Sequence, residues 1–315
     1  MDAPPALRRR DRFTLLAMAV LAFTILVIVS GDVVQATESG AGCGESWPRC
    51  DGSLIPSIGD AKTAIEFTHR ALTAVLGAGF AALVLWTWTR RSPGQRRLQR
   101  SVAWATGLFV VEVVIGALLV RYGWVEDDAS FGRVVADAVH LVNTFLLVGA
   151  LVLVVHNARG GAAIRVDPTR RPDRLLLGGF VILLLVGITG AVNSLADTLY
   201  FADGVDVEST PIASILVAIR GVHPVVAIGG GLLLAVLVRP AAEVNPAARR
   251  LSGAIQVAVL GQFAIGLLNI ALLTPLETQV LHLVTAHGVW VLLVALAASV
   301  MGEPAGVPHR DVMAS

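Results

Sequence analysis

Charge is scarce in this 315-residue chain. Asp, Glu, Lys and Arg together supply only 15% of it while hydrophobic residues supply 55%, against a charged share of about a quarter in an ordinary soluble domain. With a mean hydropathy of +0.75, the composition excludes a water-soluble fold and indicates a polytopic membrane protein. An excess of one sign is lacking too: 24 basic and 23 acidic side chains leave a formal charge of +1, without the broad basic surface that nucleic acids require. Lysine is nearly absent, Lys62 standing alone among arginines, and cysteine is confined to Cys43 and Cys50. The partners that remain are lipid, membrane solutes and other membrane proteins.

What is abundant is long apolar sequence. Crossing a bilayer core of about 30 Å takes roughly 20 helical residues. Eight stretches qualify: Phe13–Gly31, Ala64–Thr89, Val102–Val120, Val134–Val155, Leu175–Asn193, Ile212–Val238, Leu251–Leu273 and Leu276–Val300. No A-x-A-like cleavage site follows the first, which reads as a retained helix. Basic residues concentrate on alternate loops: Arg8, Arg9, Arg10 and Arg12 precede span one; Arg90, Arg91, Arg96, Arg97 and Arg100 follow span two; Arg159, Arg165, Arg170, Arg171 and Arg174 follow span four; Arg239, Arg249 and Arg250 follow span six. The intervening loops are acidic, with Glu126, Asp127 and Asp128 after span three and Asp197, Asp203, Asp206 and Glu208 after span five. The positive-inside rule then places both termini in the cytoplasm.

The first outer loop, 32–63, carries both cysteines with six residues between them. On the oxidising side of a membrane the pair reads as a structural disulfide, and a redox-active thiol pair is the alternative. A metal site lacks a nearby His.

The chain also repeats itself. Glu112-Val113-Val114-Ile115-Gly116-Ala117-Leu118-Leu119 in span three matches Gln262-Phe263-Ala264-Ile265-Gly266-Leu267-Leu268-Asn269 in span seven, and His140-Leu141-Val142-Asn143 matches His282-Leu283-Val284-Thr285. His69 in span two corresponds to His223 in span six. The expected fold is therefore all-α, with eight transmembrane helices in two tandem pseudo-symmetric four-helix bundles, 1–160 and 161–315, duplicated in parallel. Each half places two histidines near the outer ends of two helices. An intramembrane His is costly unless it is satisfied, and paired, depth-matched histidines point to axial ligation of a flat macrocycle such as haem. Zinc would need three or four converging ligands, and these come in twos; interhelical hydrogen bonds are the alternative. His287 lies about 140° around the helix from His282 at 3.6 residues per turn and reads as a packing or pore-lining residue, while His156 and His309 read as solvated.

The halves differ in their polar residues. Glu66 stands where Arg220 stands in the second half. Glu66 shares a helix face with His69 and could relay protons or stabilise positive charge, or pair with Arg70. Arg220 suits a haem propionate. Glu112 and Gln262 either line the inner wall of each pocket or bridge helices.

These residues resemble the haem A synthase family over nearly the whole chain. The likeness rests on the two four-helix halves, the outer-loop string from Gly31-Asp32-Val33-Val34-Gln35 through Cys43, then Trp47-Pro48-Arg49-Cys50-Asp51-Gly52 and Glu66-Phe67-Thr68-His69-Arg70. The chain departs from the family pattern at Gln35, commonly Arg, and Glu38, commonly a small residue. The resemblance implies oxidation of a methyl substituent of haem O to the formyl group of haem A, with Glu66 catalytic. It implies His69 and His140 as iron ligands of the substrate haem and His223 and His282, with Arg220, holding a haem b cofactor for electron transfer. It also implies a Cys43–Cys50 disulfide, a haem O synthase and cytochrome oxidase assembly factors as partners, and a multi-pass place in a bacterial cell membrane with the haem sites toward the outer face; a homo-oligomer is compatible with it. The competing readings are a dihaem b-type electron carrier that alters no substrate and a haem exporter.

Overall fold

The structure, a computed structural model, describes residues 5–89, 95–126, 128–201 and 211–303. Arg90, Arg91, Asp127, Asp203, Asp206, Glu208 and His309 lie outside the described residues, as do the side chains of Arg8, Arg9 and Arg10.

A chain in hydrocarbon must satisfy its backbone internally, so each apolar stretch forms a helix. The helices are α1 (Pro5–Ala36), α2 (Ala61–Trp88), α3 (Gln95–Arg121), α4 (Phe131–Ala158), α5 (Arg171–Phe201), α6 (Pro211–Ile219), α7 (Val222–Leu237), α8 (Pro246–Ala271) and α9 (Leu276–Val300). Among the described residues, eight are long and apolar enough to span a membrane, and the protein is an all-α multi-pass membrane protein. Side chains cap the starts the sequence marks with polar residues: Asp60 accepts from the Thr63 amide, Ser130 from the Arg133 amide and Asn245 from the Ala248 amide.

The sixth stretch departs from expectation. Ile212–Val238 is two helices, α6 and α7, broken at Arg220 and Gly221. Pro224 explains the break, because proline has no amide to donate and its ring crowds the carbonyl four residues back, that of Arg220. Several helices also overrun their apolar cores. α1 continues to Ala36 and α5 to Phe201, which places Asp32 on a helix and leaves 37–60 as the first loop between spans.

Packing follows a ring in each half of the chain. α1 contacts α2 and α4, and α3 contacts α2 and α4; likewise α5 contacts α7 and α9, and α8 contacts α7 and α9. α4 and α9 join the two rings by packing on each other, with α4 also on α5 and α9 on α1. These two helices are the central ones: 56% and 50% of their apolar windows are buried, against 28% or less for the other spans. Their seam holds Phe145, Val148, Val152, Trp290 and Val294. A two-residue antiparallel pairing of Ala163–Ile164 with Gly302–Glu303 ties the α4–α5 connection to the end of α9.

Leu293 is fully buried between α9 and its neighbours, whereas Val257 on α8 is 71% exposed toward lipid. Hydrocarbon surrounds both faces, so the cavity left by truncation dominates over transfer. Leu293→Ala should cost about 2 kcal/mol or more and lower the thermal midpoint in detergent, and Val257→Ala should leave it unchanged.

Candidate functional site

Each of the four repeated histidines sits opposite a glycine on a neighbouring helix. A Cβ built on Gly31 of α1 would lie 3.1 Å from Cε1 of His69 on α2, and one on Gly190 of α5 would lie 3.1 Å from Cε1 of His223 on α7. On the other helix pairs, a Cβ on Gly266 of α8 would lie 3.2 Å from Cε1 of His282, and one on Gly116 of α3 would lie 4.0 Å from Cε1 of His140. Three of these contacts are too close for any side chain to fit without displacing the ring. Glycine is thus what lets the imidazoles lie against helix backbone.

Hydroxyl groups then fix the orientation of two rings. Ser30 Oγ donates its single proton to the Val27 carbonyl at 2.7 Å and lies 2.8 Å from His69 Nδ1. Thr189 Oγ1 donates to the Val186 carbonyl at 2.9 Å and lies 3.1 Å from His223 Nδ1. With its proton committed to a carbonyl, each hydroxyl can only accept from the ring. In that arrangement an imidazole carries the Nδ1 proton and its Nε2 keeps a lone pair, which is how an outer hydrogen bond prepares a histidine to ligate a metal.

The rings on α4 and α9 are approached from α3 and α8. Glu112 accepts hydrogen bonds from Asn143 and Thr144, one turn beyond His140, and its Oε1 lies 3.7 Å from His140 Nε2. Gln262 accepts from Thr285, one turn beyond His282, and its Nε2 lies 3.1 Å from His282 Nε2. Glu112 and Gln262 thus bridge helices beside the histidines. His140 Nδ1 is buried without a hydrogen-bond partner among the described residues. The rings of His223 and His282 are 6.4 Å apart, centroid to centroid, at 87°. Two imidazoles bound to one metal from opposite sides would have centres about 6 Å apart, given metal–nitrogen bonds of roughly 2 Å, so the spacing of these rings is of that order, with the Gln262 amide now beside His282 Nε2. His140 and His69 are also electrostatic neighbours.

The outer loop docks on α2 through the Glu-x-x-x-Arg pair. Cys43 and Cys50 are joined by a disulfide. Glu66, only 3% exposed, accepts from the Cys43 amide through Oε2 at 2.7 Å, and its Oε1 takes Arg70 Nε at 3.1 Å and Nη2 at 2.5 Å. Arg70 Nη1 in turn donates to the carbonyls of Ser46 and Arg49, each at 2.8 Å. Thr63 donates to the Gly42 carbonyl at 2.6 Å, and a Cβ on Gly42 would meet Lys62 backbone at 2.5 Å. Where the loop enters α2, hydrogen bonds from the Thr63 amide and hydroxyl hold the Asp60 carboxyl below its usual pKa. A cleft of about 500 Å³ opens between Glu45–Arg49 of this loop and Val114, Ala117, Leu118 and Arg121 of α3.

Other residues take different places. Arg220, at the α6–α7 break, stacks its guanidinium 3.8 Å over the Tyr200 ring and lies within electrostatic reach of Asp197. His287 is 1% exposed, donates from Nδ1 to the Leu283 carbonyl and stacks on Phe145, a packing role at the seam. His156 is part-buried with Nε2 3.0 Å from the Ala162 carbonyl rather than solvated. Sequence reasoning missed Ser30, Thr189, Asp32 and Asp137. Ser30-Gly31 and Thr189-Gly190 form a repeated pair in spans one and five, visible only once those spans are aligned on their glycines. Asp32 adjoins Gly31, Asp137 is one turn from His140, and each keeps a buried Oδ2 without a hydrogen-bond partner among the described residues.

Known proteins resemble this chain over much of its length. A family model described as cytochrome oxidase assembly protein matches residues 14–294. The chain is 36% identical over 291 residues to a protoheme IX farnesyltransferase of Thermus thermophilus, covering 90% of this chain and 48% of that protein; it thus spans about half of that relative's length. It is 29% identical over 212 residues to a heme A synthase of Exiguobacterium sibiricum, covering 66% of this chain and 68% of that protein. To a heme A synthase of Lysinibacillus sphaericus it is 36% identical over 108 residues, 34% of each.

Removing the Arg70 guanidinium should free the loop. Hydrogen bonds from a charged donor contribute about 1.5–3 kcal/mol each, so in Arg70→Gln trypsin should cleave after Arg49 at least about tenfold faster than in the unaltered protein, with the helices intact by circular dichroism. Equal cleavage rates would show that the loop is held by other contacts.

Proposed function

The chain belongs to the cytochrome oxidase assembly protein family, and from that premise we propose that it is a haem A synthase, which oxidises one methyl substituent of haem O to a formyl group. The observation that carries this reading is the repeated histidine–glycine contact, two in each ring of helices, with Nε2 left free where a hydroxyl fixes the ring.

In this reading, residues 1–160 handle the substrate and 161–315 the cofactor. His69 and His140 would ligate the iron of haem O, and His223 and His282 that of a haem b. When bound, haem b supplies one-electron transfer. Gly31, Gly116, Gly190 and Gly266 keep the ring edges close to backbone, and Ser30 and Thr189 hold His69 and His223 in the ligating tautomer. Arg220 would reach a propionate with its guanidinium while the face of that group rests on Tyr200. Converting methyl to formyl breaks two C–H bonds and forms one C=O bond to an added oxygen; with water as the source of that oxygen, four protons and four electrons leave. Glu66, one turn from His69, would accept a proton or stabilise positive charge developing at the methyl carbon.

The relative in Thermus bears the name of an enzyme that farnesylates protohaem, and about half of its length is similar to nearly all of this chain. A farnesylated haem is what the site of His69 and His140 would receive, which supports haem O synthase as the supplying partner. Arginines at 96, 97, 100, 159, 165 and 170 follow the ends of α2 and α4 opposite the histidines. This supports a bacterial cell membrane orientation with cytoplasmic termini and outward-facing sites.

Expression in a host that lacks haem A, with and without haem O synthase, tests the proposal through chromatography and mass analysis of the extracted haems. Haem A should appear only when haem O is supplied, and His69→Ala or His140→Ala should abolish it. Glu66→Gln should accumulate haem O or a hydroxylated intermediate. Two unaltered b haems per chain, whatever the haem O supply, would make the protein an electron carrier instead.

A further inference from the structure

Aligned on their glycines and histidines, the two halves of the sequence pair the charged residues near one site with counterparts near the other. Asp32 pairs with Ala191, Glu66 with Arg220, Glu112 with Gln262 and Asp137 with Gln279. The arginines of the first site, Arg70 and Arg133, pair with Pro224 and Pro275, while Glu38 and Asp197, both acidic, pair with each other. At these positions five carboxylates and two guanidiniums in the ring of His69 and His140 thus stand against one carboxylate, Asp197, and one guanidinium, Arg220, in the ring of His223 and His282. The acids lie close to the ligands. Glu112 Oε1 is 3.7 Å from His140 Nε2, and Asp137 is one turn from His140, with Arg133 Nε 3.7 Å from its Oδ2. Asp32 follows the glycine that His69 packs on, and the Oδ2 atoms of Asp32 and Asp137 are buried without a hydrogen-bond partner among the described residues.

We propose that Asp32 and Asp137 set the redox bias between the two sites: they favour the oxidised, more positive iron at His69 and His140, so that for the same macrocycle this site has the lower reduction potential and an electron passes from it to the site of His223 and His282. The inference rests on the two-haem reading above. Ferric iron carries one more positive charge than ferrous, and in a site walled off from water a nearby carboxylate stabilises that extra charge far more than it would in bulk solvent. Arg220 acts in the opposite sense at the second site, favouring the reduced iron. In the transfer the first iron loses one electron and the second gains it, so no other reactant is needed. Asp32 and Asp137 act through the iron and are positioning residues for the electron, as distinct from Glu66, which is proposed to act at the substrate carbon.

Potentiometric titration of the purified full chain, followed by electron paramagnetic resonance, tests this. His223→Ala and His69→Ala assign each signal by removing one haem at a time. Asp32→Asn and Asp137→Asn should each raise the midpoint of the first haem by about 59 mV, a tenfold change in its oxidised-to-reduced ratio for a one-electron couple, and leave the second haem where it was. Asp137→Glu should restore the original midpoint, and Arg220→Gln should lower that of the second haem alone. Midpoints that ignore both aspartates, or two haems that shift together, would overturn the inference while leaving the two-haem reading intact. A chain that binds haem in one ring only would overturn both.

Discussion

An imidazole at membrane depth must have its N–H satisfied, and the helix contacts around His69 and His223 are arranged around that requirement. For His69 and His223 a hydroxyl on the adjacent helix takes the Nδ1 proton, having already spent its own on a carbonyl one turn back. That hydroxyl can reach the ring only because the next residue is glycine, which brings the two helix backbones together at the level of the imidazole. Helix spacing, ring orientation and tautomer are thus one decision. What is left over is a single lone pair on each ring, and a single lone pair inside a helix bundle is useful chiefly to a metal.

The same logic orders the helices. α4 and α9 each end a ring of helices, each carries a histidine, and they are the two most buried spans. Residues five beyond those histidines, Phe145 and His287, meet face to face across the seam with ring centroids 5.0 Å apart. Corresponding positions that touch each other are expected where two copies of a fold pack about an axis between them. Trp290 closes the seam against Phe145 and Phe180, and its indole edge faces Gly149, where a Cβ would come within 3.2 Å of Nε1. The two sites are therefore held at a fixed separation by the two helices that supply one ligand candidate to each.

Eight apolar stretches of membrane-spanning length were legible in the sequence because hydrophobic length is a one-dimensional property. So were the four histidines, since each half repeats them within recognisable strings such as His140-Leu141-Val142-Asn143 and His282-Leu283-Val284-Thr285. The break between α6 and α7 was written in Arg220-Gly221-Val222-His223-Pro224, but unbroken hydrophobicity masked it. Ser30 and Thr189 were illegible for a different reason: a hydroxyl in a membrane helix usually bonds its own backbone, and only the neighbouring helix shows that it also accepts from a ring. Asp32 and Asp137 were not singled out in the sequence. Their meaning depends on the helix running past the apolar core and on what stands at the paired position, Ala191 or Gln279, neither of which a single segment reveals.

Glu66 has a structural role beside the chemistry proposed for it. One of its oxygens holds the Cys43 amide and the other holds Arg70, which itself grips the carbonyls of Ser46 and Arg49. The disulfide makes the segment between those carbonyls a closed ring, so the loop docks as one body. The carboxylate cannot rotate toward a substrate without loosening that body, and the loop cannot lift without freeing the carboxylate. In the second ring the equivalents are Arg220 and Pro224, which can form no such latch. On the proposed reading, the ring with the latch must exchange haem O for haem A in every turnover, while the ring without one keeps its haem b. On that reading a cover held by the same carboxylate would suit the site whose occupant comes and goes, and the latch of Glu66 and Arg70 lies in the ring of His69 and His140.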